Sequence, residues 1–201
     1  MRIMTRVKCC LVLVAIAFST AGPIAMAQTT AADKQPRAEL ALDYTYLRSN
    51  APPGGCGCFN LNGGSATFAW PVRPGKFALV GDITVAHAGA ISSNGYSLTL
   101  GAYTVGVRYL PRFVRSPLRP FGQVLVGLAH SSGSLVQRQT PDASSAGEAF
   151  AANLGGGLDL RIDRRFSLRL VEADYLVTTF DNGDNDHQNT LRLSAGAVFH
   201  F

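Results

Sequence analysis

From Ala38 to the C-terminus, apolar residues recur at every second position in eight stretches, the period of strands with two unlike faces. The last stretch sets the pattern. Leu191, Leu193, Ala195, Ala197, Phe199 and Phe201 share one face, and Arg192, Ser194, Gly196, Val198 and His200 share the other. A first strand over 38–47 puts Leu40, Leu42, Tyr44 and Tyr46 opposite Glu39, Ala41, Asp43 and Thr45. A second over 65–72 carries Ala66, Phe68, Trp70 and Val72 on its apolar face, and a third over 76–87 carries Phe77, Leu79, Gly81, Ile83 and Val85 opposite Asp82 and Thr84. The fourth, over 96–110, places Tyr103, Val105, Val107 and Tyr109 opposite Gly106 and Arg108. Its beginning breaks the alternation, because Leu98 and Leu100 fall on the polar face. Either a bulge near Gly101 or an apolar cap inside the sheet accounts for that. The fifth (121–131), sixth (149–162) and seventh (166–180) continue the pattern with Val124, Val126 and Leu128, with Leu154, Leu158 and Leu160, and with Val171, Ala173, Tyr175 and Val177.

The connections alternate long and short. Gly-, Pro-, Asn- and Ser-rich loops follow strands one, three, five and seven, and the turns between the others are tight. The 111–120 turn holds three Pro and three Arg and is expected to lie outside the sheet. Collected over the eight strands, the face opposite the apolar one carries Glu39, Asp43, Asp82, Arg108, Asp159, Arg161, Glu172, Asp174 and Arg192. A β-sandwich would have to bury either these charges or the apolar face as its core and expose the other, and burying so many charges carries a severe desolvation cost. A barrel with lipid outside and a narrow polar lumen accommodates both faces. The fold class expected is therefore all-β, an eight-stranded up-and-down antiparallel transmembrane β-barrel over 38–201.

The terminal strand, ending in Phe201, together with the strand count and loop alternation, resembles the small eight-stranded outer-membrane β-barrels of the OmpA/OmpX type. The resemblance implies that Leu191, Leu193, Phe199 and Phe201 form a strand read by the barrel assembly machinery, and that outer-membrane lipids and lipopolysaccharide surround the barrel. It also leaves the four outer loops to meet an extracellular partner. Two-domain relatives carry a peptidoglycan-binding domain after the barrel; the sequence stops at the barrel, so that activity is not expected here.

The first 27 residues agree with export. Arg2, Arg6 and Lys8 precede the short apolar run of 9–18, and Ala25-Met26-Ala27 is a cleavage pattern, so 1–27 reads as a signal peptide and 28–37 as a flexible periplasmic lead-in. Cys9 and Cys10 lie ahead of the apolar run, away from the cleavage point, which argues against a lipoprotein. The 18 Lys and Arg less these three leave 15 against 13 Asp and Glu, so the net charge of +5 falls to +2 after cleavage. No basic run interleaves with stacking aromatics, and nucleic acid is not an expected partner. Charge is 15% of the chain, with 21 Gly, a composition of strands and turns.

The lumen charges are the leading candidate constellation. They read either as ion pairs plugging the barrel or, since six carboxylates outnumber three guanidiniums, as a narrow cation-preferring path. Cys56 and Cys58, in the first outer loop, form a candidate disulfide; two sulfurs make an incomplete zinc set. The acidic loop of Asp181, Asn182, Asp184, Asn185 and Asp186 lacks the bidentate Glu of a calcium loop and reads as solvated. His130, Ser132 and Glu148 raise an outer-membrane lipid hydrolase as a third possibility, by similarity to lipid A deacylases of this architecture; nothing in the spacing fixes their geometry. Tyr44, Tyr46, Trp70, Phe77, Tyr109, Tyr175, Phe199 and Phe201 suit an interfacial girdle, and Arg73, Lys76, Arg112, Arg115, Arg119, Arg164 and Arg165 in the tight turns suit anionic headgroups or a wet rim. No cofactor, metal or catalytic site is expected.

Overall fold

A computed structural model describes residues 38–49, 58–73, 76–91, 96–111, 116–133, 146–180 and 187–201. The expected signal peptide and lead-in, Cys56, and the acidic loop at 181–186 lie outside these residues. Eight strands follow in order: β1 (Glu39–Ser49), β2 (Phe59–Arg73), β3 (Phe77–Ile91), β4 (Tyr96–Tyr109), β5 (Leu118–Ser132), β6 (Ala146–Arg161), β7 (Phe166–Thr178) and β8 (Gln188–His200). Each pairs antiparallel with its neighbours in sequence, and β1 pairs with β8, so the sheet closes into an up-and-down barrel with no free edge.

The alternation in the sequence is the wall of this barrel. On β1, Ala41, Asp43, Thr45, Leu47 and Ser49 are buried, while Leu42 and Tyr44 face out. Among the described residues 27 large apolar or aromatic side chains are exposed, all but Ile162 and Phe201 on the strands of the wall, far more than a water-soluble monomer tolerates. On β3 that outward series runs from Phe77 to Val85, nine residues, about the length that crosses the hydrocarbon core at a ~45° tilt.

Four features differ from the sequence expectation. β2 begins at Phe59 instead of 65, because Asn60, Asn62, Gly63 and Gly64 pair with β1 in unbroken register. β3 runs on to Ile91, with its register against β4 shifting between Ala88 and Ile91. β5 begins at Leu118, and Arg119 and Pro120 pair with Asp159 and Leu158, so the Pro lies within the strand and not in the turn. Finally, β7 carries a bulge. Its register against β8 shifts between Arg169 and Glu172, and Leu170 and Val171 both face outward.

No bulge occurs at Gly101, where β4 and β5 pair continuously. Leu100 instead packs inside with Leu47, Leu61, Ala86, Ala88, Ile91, Ala129, Ala151 and Leu176, flanked by Phe59, Leu98 and Phe180. These residues occupy the ends of the strands remote from Glu39 and His200. The inner face thus has an apolar cap at one end of the barrel.

Candidate functional site: a charge network beneath an apolar cap

The bulge in β7 decides which charges meet. With strict alternation from Glu172, Arg169 would face outward; the extra residue returns it to the lumen, where it is 1% exposed. Its guanidinium then joins three strands. Nε donates to Asp159 Oδ1 at 3.0 Å, and Nη1 donates to Asp43 Oδ2 at 3.1 Å and to Glu172 Oε2 at 2.7 Å.

Arg192 forms a second node. It faces Asp174 directly across β7 and β8, and its Nη2 lies 2.6 Å from both Asp174 Oδ2 and Glu172 Oε1. Nη1 reaches across the lumen to Asp82 Oδ1 at 2.7 Å and donates to Thr84 Oγ1 at 2.6 Å. The Thr67 hydroxyl donates to the other Asp82 oxygen at 2.7 Å. Arg108, the third, donates from Nε and Nη2 to Gln123 Oε1 at 3.0 and 2.8 Å, and its Nη2 lies 3.9 Å from Glu172. Gln123 passes the network on by donating from Nε2 to Glu172 Oε1 at 3.1 Å. Glu172 is the hub, within 4 Å of all three guanidiniums.

The Phe121 ring fills the space between two of these cations, with Arg108 Cζ 4.1 Å and Arg169 Cζ 4.8 Å from its centroid. Gly157 makes room for it: a Cβ there would come within 2.6 Å of the ring. Toward the cap, hydroxyls replace charges. Thr45 bonds to Ser65 and Ser194, each at 3.0 Å, and Ser49 to Thr190 at 2.6 Å.

The structure therefore brings together Asp43, Asp82, Arg108, Asp159, Glu172, Asp174 and Arg192. Two of the nine expected charges sit elsewhere. Glu39 lies at the rim, 3.4 Å from His200 Nδ1. Arg161, expected inside, is half-buried at the end of β6, where its Nε donates to the Asp163 carbonyl at 3.3 Å. Arg169 takes the place foreseen for it among the fully buried side chains. The signal for Arg169 was present in the sequence: adjacent apolar residues Leu170 and Val171 mark where one alternating register gives way to another.

Five carboxylates and three guanidiniums thus pack into one buried cluster. Charges fixed this way hold strand register, because Arg169 and Arg192 each contact acids from more than one strand and Arg108 links Gln123 on β5 to Glu172 on β7.

The residues weighed for hydrolysis lie on the outer face of β5 and β6. His130 and Glu148 are cross-strand partners with exposed side chains, and His130 Nδ1 is 3.9 Å from Glu148 Oε1, too long for a hydrogen bond. Tyr103 and Leu128 complete a shallow hollow of about 300 Å³ around them, and Ser132 follows two residues on. Cys58 is half-buried just ahead of β2. Among the described residues no group of three His, Cys, Asp or Glu side chains is arranged to hold a metal ion.

No protein-family model matches the chain. Among curated proteins, a tip attachment protein J of Escherichia phage SECphi27 is 27% identical over 141 residues, which is 68% of this chain and 12% of that protein's length. Among solved structures, Neisserial surface protein A superposes with a TM-score of 0.59 at 14% identity, over 84% of this chain and 100% of that one. The attachment invasion locus protein Ail of Yersinia pestis, in complex with the heparin analogue sucrose octasulfate, gives 0.51 at 15% identity, over 82% and 99%. At such identities the likeness is one of fold. Closure of eight antiparallel strands, the apolar outer wall and these superpositions agree: the chain has the fold of the small eight-stranded outer-membrane β-barrels.

Proposed function

We propose that the protein is an integral outer-membrane barrel with a structural or surface-interaction role, exported through its N-terminal signal and closed to solutes. The observation that supports closure is the stacking of two unlike obstacles in one lumen. Arg108, Arg169 and Arg192 tie the wall together through acids on β1, β3, β6 and β7. Above them, Leu47, Leu61, Leu100 and Leu176 occupy the same bore with apolar side chains. An ion that entered past the carboxylates would meet apolar side chains, with the hydroxyls of Ser49 and Thr190 beside them bonded to each other. Outer-membrane phospholipid and lipopolysaccharide would contact the exposed belt, the assembly machinery would read the terminal strand, and the outer loops would meet any extracellular partner.

The rival reading, a narrow cation-preferring channel, rests on the two carboxylates in excess of the guanidiniums. Planar-bilayer recording of refolded protein separates the two, with outer-membrane fractionation and heat-modifiable gel migration as checks on location and fold. A silent bilayer is expected. Stable discrete openings that Asp174→Ala abolishes would replace the plug with the channel, and a protein recovered soluble from the periplasm would overturn the membrane assignment.

A further inference from the structure

The mouth of the lumen at the Glu39 end is ringed by cations on inward positions. The Leu110 amide donates to the Lys76 carbonyl at 2.8 Å, so these two residues are partners where β3 begins and β4 ends. Leu110 packs inside against Ala69, Ala78, Val80 and Leu125, which gives Lys76 the same inner parity. Arg119 is directly opposite the buried Asp159, and Arg161 directly opposite the fully buried Ser167. The outward positions next to Lys76 and Arg119 belong instead to Phe77 and Leu118, both exposed and apolar. Surrounding lipid meets those two apolar side chains, and the cations beside them look onto the mouth.

Lys76 and Arg119 are exposed, and among the described residues neither side chain has an ion-pair or hydrogen-bond partner. Glu39 is the acid on the ring, and it is already engaged. His200 Nδ1 stands 3.4 Å from its carboxylate, with His200 Nε2 2.8 Å from the Ser167 hydroxyl. Asp163 lies in the adjoining turn beside Arg164 and Arg165, all three exposed. Below the ring the sign reverses. Asp43, Asp82, Asp159, Glu172 and Asp174 outnumber the guanidiniums of Arg108, Arg169 and Arg192, so an anion drawn to the mouth is repelled from the bore.

Spacing narrows the choice of anion. β4 separates Lys76 from Arg119, roughly 10 Å at ~4.8 Å per strand. Carboxylates two or three residues apart on an extended peptide match that interval at ~3.4 Å per residue, and a lone phosphate or carboxylate does not. We propose that the mouth between Lys76 and Arg119 is a docking site for an acidic peptide segment of a partner protein, held by its carboxylates without entering the lumen. The site rests on the reading that the barrel spans the outer membrane, which puts this mouth and its partner in the periplasm when the N-terminal segment lies there.

The test uses the full barrel in nanodiscs of zwitterionic phosphatidylcholine, with a fluorescent hexaglutamate peptide as probe and hexaglutamine as its neutral control. Fluorescence anisotropy should show hexaglutamate binding that weakens several-fold as salt rises, and no binding of hexaglutamine. Combining Lys76→Gln with Arg119→Gln should lower the affinity several-fold, and combining Arg164→Gln with Arg165→Gln in the neighbouring turn should lower it less. The single variants Lys76→Gln and Arg119→Gln repeat the comparison should the pair fail to show heat-modifiable migration. Equal losses from the mouth pair and the turn pair would reduce the binding to general rim charge and overturn the site. Displacement of the peptide by inorganic phosphate at matched ionic strength would make it a single-anion site, and loss of binding when phosphatidylglycerol is added to the nanodisc would give the cations to lipid headgroups; either overturns the peptide. Failure to insert into nanodiscs would sink the membrane reading, whereas insertion without hexaglutamate binding would overturn the docking site alone.

Discussion

Asp174 on β7 and Arg192 on β8 are directly opposed partners in the sheet, and two nitrogens of the guanidinium, Nε and Nη2, lie 2.9 and 2.6 Å from the same carboxylate oxygen. The pair is almost fully buried, and Arg192 also holds Glu172 and Asp82. Asp174→Asn and Arg192→Gln should each destabilise the barrel, and the double variant should lose less than the sum. A coupling of about 1–3 kcal/mol is expected for residues in one network. Urea unfolding in detergent micelles, followed by the fluorescence of Trp70, the one tryptophan in the chain, measures it.

Arg169 and Arg161 should separate sharply. Removing Arg169 leaves Asp43, Asp159 and Glu172 facing one another without their shared cation, and Arg169→Leu should cost about 3–5 kcal/mol, the usual penalty for breaking a buried pair from one side. Arg161→Leu at the half-buried end of β6 should cost about 1 kcal/mol or less. Equal losses in the same unfolding assay would contradict the assignment of Arg169 as the buried node.

Two glycines make a paired steric test. Gly157→Ala sets a Cβ against both the Phe121 ring and the Val171 carbonyl and should cost about 1–3 kcal/mol by overpacking. Gly81→Ala enters open space on the outer wall and should change stability by about 0.5 kcal/mol or less. If Gly157→Ala is as mild as Gly81→Ala, Phe121 does not occupy the lumen as described.

Phe201 is two-thirds exposed beyond the end of β8, and its amide donates to the Ala38 carbonyl at 2.9 Å, a bond that any residue there retains. Phe201→Ser should therefore leave refolding in detergent unchanged while reducing the amount reaching the outer membrane in cells. A parallel loss in both assays would make Phe201 a stability residue and remove its role as an assembly signal.

Ser132→Ala should leave the acylation of lipid A unchanged in cells expressing the protein. His130 and Glu148 stand 3.9 Å apart on an exposed wall, without the hydrogen bond that orients a catalytic base. Loss of a deacylated lipid species in the variant would establish the hydrolase that this geometry does not favour.

The barrel could be read from the chain because its two faces obey a period of two across almost every strand, and that parity places Asp43, Asp82, Arg108 and Arg192 without any structural input. Parity fails where the backbone inserts a residue. At Leu170 and Val171 the phase changes, so parity counted back from Glu172 leaves Arg169 out of the lumen set, and Arg161 stands in the expected network where Arg169 belongs. Asn60, Asn62, Gly63 and Gly64 have the composition of a loop, yet all four are held extended by β1 and the last three by β3 as well, a tertiary effect that local propensity does not carry. Leu98 and Leu100 posed a choice between bulge and cap that only their packing against β1, β2 and β3 decides. Phe121 announced nothing: an aromatic ring between two guanidiniums requires knowing that β4, β5 and β7 converge.

The lumen network also bears on the order of events in folding. Arg169 and Asp43 are 126 residues apart in the chain, Arg192 and Asp82 110, and Thr45 and Ser194 149. A hairpin such as β1–β2 or β3–β4 can pair its backbone alone, but none contains a complete set of partners for these cations. Arg192 can meet Asp174 and Glu172 within the β7–β8 hairpin, but Asp43 and Asp82 reach their cations only when β8 returns to β1, after the largest loop-closure entropy has been met. The network therefore acts as a latch on the seam: an unclosed sheet keeps its inner face charged and wet, and the closed barrel comes apart as a single cooperative unit.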